Sequence, residues 1–95
     1  MKTRLIILLL LVLPFSAYAQ YDKEVFSVRG LLALQEGRLS EAVSNFNILA
    51  QLDSTDYWTF FYRGIAKYNL GDIRGARADF STAVRQNPVF TSGYH

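Results

Sequence analysis

The fold is decided by the stretch from Tyr57 to Pro88, YWTFFYRGIAKYNLGDIRGARADFSTAVRQNP. Apolar residues in its first half recur near the 3.6-residue period of an α-helix, at Phe60, Phe61, Ile65, Ala66 and Tyr68. Gly71 and Asp72 interrupt this pattern, and a second helical pattern follows at Ile73, Ala76, Phe80, Ala83 and Val84. Pro88 ends it, because proline has no amide hydrogen and disfavours helical backbone in the residue before it. The stretch therefore predicts two short helices packed antiparallel.

The same pattern occurs earlier in the chain. Each residue of the earlier pattern is separated from its counterpart by the same number of residues as Phe26 is from Phe60, and we call this separation the repeat offset. Without any gap, Phe26, Arg29, Gly30, Gly37, Ala42 and Phe46 match Phe60, Arg63, Gly64, Gly71, Ala76 and Phe80. Self-similarity at a fixed period of this length indicates a stacked array of helical hairpins. Because Gly30 and Gly64 have no side chain, we expect the two helices of each hairpin to approach closely there.

These matched residues resemble the tetratricopeptide repeat (TPR) family, whose period is about 34 residues, and the resemblance covers 22–88. It implies an all-α fold in which antiparallel helix hairpins stack into a right-handed superhelical solenoid. We expect a TPR-like domain at 20–95, with repeat 1 at about 23–56, repeat 2 at about 57–90 and the start of a third repeat at 91–95. Arg29, Arg63 and Lys67 depart from the family pattern. We expect the stems of the two arginines to pack while their guanidinium groups reach water.

Helix boundaries are predicted from capping chemistry. The expected N-caps, from the first helix to the fourth, are Asp22, Ser40, Asp56 or Thr55, and Asp72. Gly37 is expected to close the first helix, as a glycine in the left-handed conformation often does. The fourth helix is expected from about Ile73 to Gln86.

Residues 1–19 are predicted to be a secretory signal peptide. Lys2 and Arg4 precede an unbroken apolar run at 5–13, and Ala17 and Ala19 supply the small residues that a signal peptidase needs. The apolar run is shorter than the ~20 residues that span a bilayer. We therefore expect cleavage after Ala19 and a secreted or periplasmic product. The alternative is an uncleaved membrane anchor.

The composition of the chain limits the classes of ligand and partner that we expect it to bind. The chain of 95 residues contains no cysteine, so neither disulfides nor thiolate metal sites are available. Removing Lys2 and Arg4 with the signal leaves eight basic and eight acidic residues, so the mature chain is near neutral despite a sequence pI near 9.1. Nucleic-acid binding usually needs a basic stripe. We therefore predict no nucleic-acid partner and no cofactor.

The TPR resemblance implies a concave groove, lined by the first helix of each hairpin, that binds a protein or peptide. Carried over by position, repeat 1 would supply Glu24, Ser27, Leu31, Leu34 and Gln35. Repeat 2 would supply Trp58, Phe61, Ile65, Tyr68 and Asn69. Exposed aromatic side chains are frequent binding hot spots. For Trp58 and Phe61 the alternative is packing beneath a neighbouring repeat or a loop.

An enzymatic function is not expected. Acid–base and nucleophilic catalysis need positioned pairs of titratable groups, and the single histidine is His95 at the last position. Helix capping accounts for most of the acidic residues, which are Asp22, Glu24, Glu36, Glu41, Asp53, Asp56, Asp72 and Asp79. No strand precedes the glycines at 71 and 75, so they do not form a phosphate loop.

Two repeats form a marginal core, because such arrays are usually stable with about three units. Three explanations stay open: a fragment of a longer repeat protein, pairing through the open C-terminal end, or a small two-repeat domain. The leading functional prediction is an exported module that binds a protein or peptide. The main alternative is a structural, self-associating repeat segment.

Overall fold

In the computed structural model, residues 15–89 are described, with side chains from Asp22 onward. The predicted n-region and apolar run of the signal peptide, and the predicted third-repeat start at 91–95, lie outside the described residues.

The described residues form four α-helices and no strand: α1 Phe15–Gln35, α2 Leu39–Leu52, α3 Tyr57–Asn69 and α4 Ile73–Gln86. The all-α prediction is thereby confirmed. Short loops join α1 to α2 and α3 to α4, each pair packs together, and α3 also packs on α2.

The bounds of α4 match the sequence prediction, whereas the start of α1 does not. α1 begins at Phe15, upstream of the expected N-cap, and includes the junction after Ala19 at which cleavage is predicted. Asp22 therefore lies inside a helix, and its assignment as an N-cap was wrong.

Both hairpins turn through the same C-terminal cap. The amide of Gly37 donates to the carbonyl of Leu34 at 3.2 Å, and the amide of Arg38 donates to the carbonyl of Ala33 at 2.8 Å. The corresponding bonds around Gly71 measure 3.0 and 2.8 Å. This pair of bonds defines a Schellman motif, which needs a residue in the left-handed conformation. The φ angles of 77° at Gly37 and 91° at Gly71 meet that need and confirm the prediction for Gly37.

The two helix starts that follow these caps differ. Asp72 is the N-cap of α4, as predicted, and its carboxylate accepts the amide of Gly75 at 2.9 Å. In the first hairpin the N-cap is Arg38, without a side-chain cap, and Ser40 lies inside α2. The assignment of Ser40 was wrong because α2 starts directly after the Schellman turn, two residues earlier than a cap at Ser40 requires.

Lys23 joins α1 to the loop between α2 and α3. Its ammonium group lies 2.9 Å from a carboxylate oxygen of Asp53 and 2.9 Å from one of Asp56, the N-cap of α3. These contacts, that with Asp56 first, raise the pKa of Lys23. Asp53 also accepts the amide of Thr55 at 2.9 Å and its hydroxyl. Thr55 first, and then Lys23, hold the pKa of Asp53 well below its usual range.

The repeated glycines bring the helices of each hairpin together, as the sequence predicts. A Cβ atom placed on Gly30 would lie 2.8 Å from Cε1 of Phe46. A Cβ atom placed on Gly64 would lie 2.7 Å from Cε1 of Phe80. Real Cβ atoms essentially never approach carbon so closely. Each glycine therefore forms the recess into which the phenylalanine of the second helix packs.

The core centres on the first hairpin and α3. Its buried members are Ala33, Ala42, Phe46, Leu49 and Ala66. Around them pack the partly buried side chains of Phe26, Leu34, Val43, Trp58 and Tyr62. α3 thus completes the core of the hairpin that precedes it, in addition to pairing with α4.

A buried carboxylate on α4 forms ion pairs with two basic residues of α3. Asp79 is 3% exposed and accepts two hydrogen bonds from the guanidinium of Arg63, at 2.8 and 2.7 Å. The ammonium of Lys67 lies 3.1 Å from the same carboxylate. Arg63 also donates to Asn47 of α2 at 3.0 Å and lies 5.1 Å from the ring centroid of Phe60. The Arg63 guanidinium therefore binds the carboxylate and keeps only part of its surface in water. Asp79 lies inside α4, so it is one of the acidic residues that capping does not explain; it is instead paired between the helices.

Candidate functional site

One face of α3 carries large apolar side chains that are not fully covered. Spacings of three and four residues place Trp58, Phe61, Ile65 and Tyr68 on one side of the helix, and these four residues form the α3 stripe. Trp58, Phe61 and Ile65 are partly buried, and Tyr68 is 58% exposed.

The fully buried residues of α3 are instead small: Thr59, Gly64 and Ala66. Burial usually favours the large apolar residues of a helix. α3 inverts this preference, so its large apolar side chains keep some surface exposed to solvent.

Part of the α3 stripe also contributes to packing. The ring of Trp58 meets that of Tyr62 edge-on, with centroids 6.2 Å apart. The ring of Phe61 lies 5.4 Å from Tyr62 and 6.0 Å from Phe80. Trp58 and Phe61 therefore pack on neighbouring side chains and keep some exposed surface, and their role in binding stays a prediction. Tyr62 therefore contacts both aromatic members of this pair.

The residues expected from repeat 1 are more polar and make fewer apolar contacts. Leu31 is exposed on α1, whereas Leu34 packs against the core. The hydroxyl of Ser27 donates to the backbone carbonyl of Lys23 at 2.7 Å. Glu24, Gln35 and, on α3, Asn69 are exposed. The expected groove therefore has its apolar surface mainly on α3.

A second feature was missed by the sequence reasoning: a depression of about 580 Å³ on the outer side of α4. Its lining includes the apolar side chains of Tyr68, Ile73, Phe80 and Val84. Arg77 and Arg85 also line it. Tyr68 belongs both to this α4 pocket and to the α3 stripe. Comparing the two repeats could have revealed the pocket, because its apolar positions lie one repeat offset after Leu34, Leu39, Phe46 and Ala50.

The described residues include no group of three or more histidine or acidic side chains that could hold a metal ion. Among the helices that the structure describes, none has both the length and the apolar character needed to cross a membrane.

Comparisons with family models, with curated proteins and with solved structures find no match to this chain. The TPR resemblance therefore stays a prediction carried by the repeated residues, and function has to be inferred from the surfaces described above.

Proposed function

We propose that this chain is an exported TPR-like module that binds a protein or peptide through the concave face formed by α1 and α3. The observation that carries the proposal is the α3 stripe, in which a helix buries its small residues and leaves Trp58, Phe61, Ile65 and Tyr68 at least partly accessible. Tryptophan and tyrosine give large contact areas for little lost side-chain freedom and dominate binding hot spots.

The TPR-like, right-handed solenoid is part of the same proposal. Its support is the equivalence of the hairpins at the repeat offset: both turn through a Schellman glycine, and both seat a phenylalanine against a glycine. A solenoid forms when equivalent repeats stack in the same relation to their neighbours, so the internal equivalence of the two hairpins supports this part of the proposal.

The proposed partner is an apolar segment of a peptide or protein that places aliphatic or aromatic side chains on the α3 stripe. Polar groups at the edge of the stripe, such as Asn69, can satisfy the backbone of that segment. We propose binding rather than catalysis. In the described chain Asp53 and Asp56 pair with Lys23, Asp72 caps α4, and Asp79 fastens α3 to α4.

Capture of a partner tests this proposal. The processed protein is immobilised and exposed to the exported fraction of the producing cells, and captured proteins are quantified by mass spectrometry. We expect Tyr68→Ala to weaken capture at least about tenfold, the usual cost of truncating a hot-spot aromatic. Trp58→Ala is expected to do the same, with its helical content checked by circular dichroism because Trp58 also packs on the core.

Ile48→Ala is the matched control, because Ile48 is an exposed apolar residue on α2, outside the α3 stripe. It is expected to capture as much partner as the unmodified protein. Equal capture by all three variants would remove the α3 stripe from the binding site.

A further inference from the structure

The open face of α4 is equivalent to a face of α2 that α3 covers. Phe46 of α2 is fully buried, and its ring stacks on Tyr62 of α3 with centroids 6.4 Å apart. Its counterpart in the second repeat, Phe80, lines the α4 pocket instead. Likewise Ala50 is partly buried, whereas its counterpart Val84 is 38% exposed. The lining of the α4 pocket is therefore equivalent to the surface of α2 on which α3 packs.

The outer face of α1 is equivalent to the face of α3 that packs on the first hairpin. α3 packs on the first hairpin through Tyr62 and Ala66, which belong to the core or its margin. Their counterparts in the first repeat are Val28 and Leu32, which are 57% and 47% exposed. Among residues 15–89, which the structure describes, nothing covers this apolar face of α1 at one end or the α4 pocket at the other.

We propose that α1 of a second copy of this chain docks in the α4 pocket, head to tail, in the way that α3 docks on α2. Both halves of the contact are present on every chain, and the contact inside one chain supplies the geometry. The apolar centre of the interface is then Val28 and Leu32 of one copy against Phe80 and Val84 of the other.

The polar residues at this interface are complementary. Arg63 of α3 donates to Asn47 of α2 at 3.0 Å, and the equivalent positions are Arg29 on α1 and Ser81 on α4, both exposed and able to form the same kind of bond. α3 starts beside the last turn of α2, because only four loop residues separate the two helices. The residue of α1 that matches Trp58 is Glu24, which then lies near Arg85 in the last turn of α4.

This contact joins two different surfaces, so it leaves a free α1 at one end of any assembly and a free α4 pocket at the other. Such heterologous contacts form open chains unless their rotation closes a ring. Self-association should therefore grow beyond a dimer as the concentration rises. The inference concerns the two ends of the molecule and does not depend on a partner for the α3 stripe.

Two single variants and their mixture test the proposal by sedimentation velocity of the processed protein. Val28→Asp places a charge on the docking face of α1, and Val84→Asp places one in the α4 pocket. We expect each to weaken self-association at least about tenfold, because an aspartate would be buried in the apolar interface without a partner. Circular dichroism checks that helical content is kept, as expected for two exposed positions.

The mixture is the decisive measurement. A Val28→Asp chain keeps an intact α4 pocket and a Val84→Asp chain keeps an intact α1, so an equimolar mixture is expected to form a one-to-one dimer that grows no further. Association of Val28→Asp that matches the unmodified protein would indicate symmetric pairing through α4 and overturn the proposal. A chain that stays monomeric at every concentration would overturn it too.

Discussion

Replacing Phe46 by alanine is expected to destabilise the protein by about 3–5 kcal/mol, the usual cost of truncating a fully buried phenylalanine. The ring is 0% exposed, fills the recess at Gly30 and stacks on Tyr62 of the next hairpin. Its loss therefore leaves a cavity where α1, α2 and α3 meet. Urea denaturation followed by far-UV circular dichroism, at a concentration where the protein is monomeric, measures the change in the free energy of unfolding.

Phe80→Ala is the matched variant, because Phe80 occupies the same position in the second hairpin. Its ring lines the open α4 pocket and is only partly buried, so truncation is expected to cost about 1–2 kcal/mol. Equal costs for the two variants would show that the outer face of α4 is covered in the monomer, contrary to the structure.

Asp79→Ala is expected to cost about 3 kcal/mol, because it leaves Arg63 and Lys67 facing each other between α3 and α4 without their carboxylate. The value lies at the low end for a broken buried ion pair, since both cations keep some exposure to water. Thermal and urea unfolding at low and high salt measure it. The loss should change little with added salt, because buried pairs are weakly screened.

The control for this variant is Glu41→Ala. Glu41 pairs with Arg38, which also binds Glu36, and all three side chains are exposed. Exposed pairs contribute roughly 0–1 kcal/mol, so Glu41→Ala is expected to have a small effect that salt reduces. If the two variants unfold at the same urea concentration, the ion pairs of Asp79 do not stabilise the packing of α3 on α4.

Features set by local chemistry could be predicted from the sequence. The bounds of α4, its Asp72 cap and the turn at Gly37 depend on a few neighbouring residues. The contact of Gly30 with Phe46, and of Gly64 with Phe80, could be predicted because the repeat offset showed each glycine and phenylalanine as one unit. Boundaries that depend on longer segments were wrong, as for α1, which begins at Phe15.

The ion pairs between helices could not be predicted by capping rules. Asp79 lies three residues after Ala76 and four before Ala83, so it shares the buried face of α4 with them. A charged residue on such a face needs a partner, and that requirement was the available signal. Which partner it finds depends on the alignment of α3 with α4, and Arg63 lies 16 residues away in the chain. The α4 pocket could be predicted only by comparing equivalent positions in the two repeats, because no single segment of the sequence indicates it.

The chain encodes one helical hairpin twice, and in each hairpin a phenylalanine packs against a glycine. Nuclear Overhauser effects between glycine α-protons and phenylalanine ring protons test it most directly, because in each glycine one α-proton takes the place of the Cβ that would lie 2.8 or 2.7 Å from the ring. We predict strong cross-peaks from Gly30 to Phe46 and from Gly64 to Phe80. A folded protein in which either glycine lacks its cross-peak would contradict the tandem hairpin, and with it both proposed interaction surfaces.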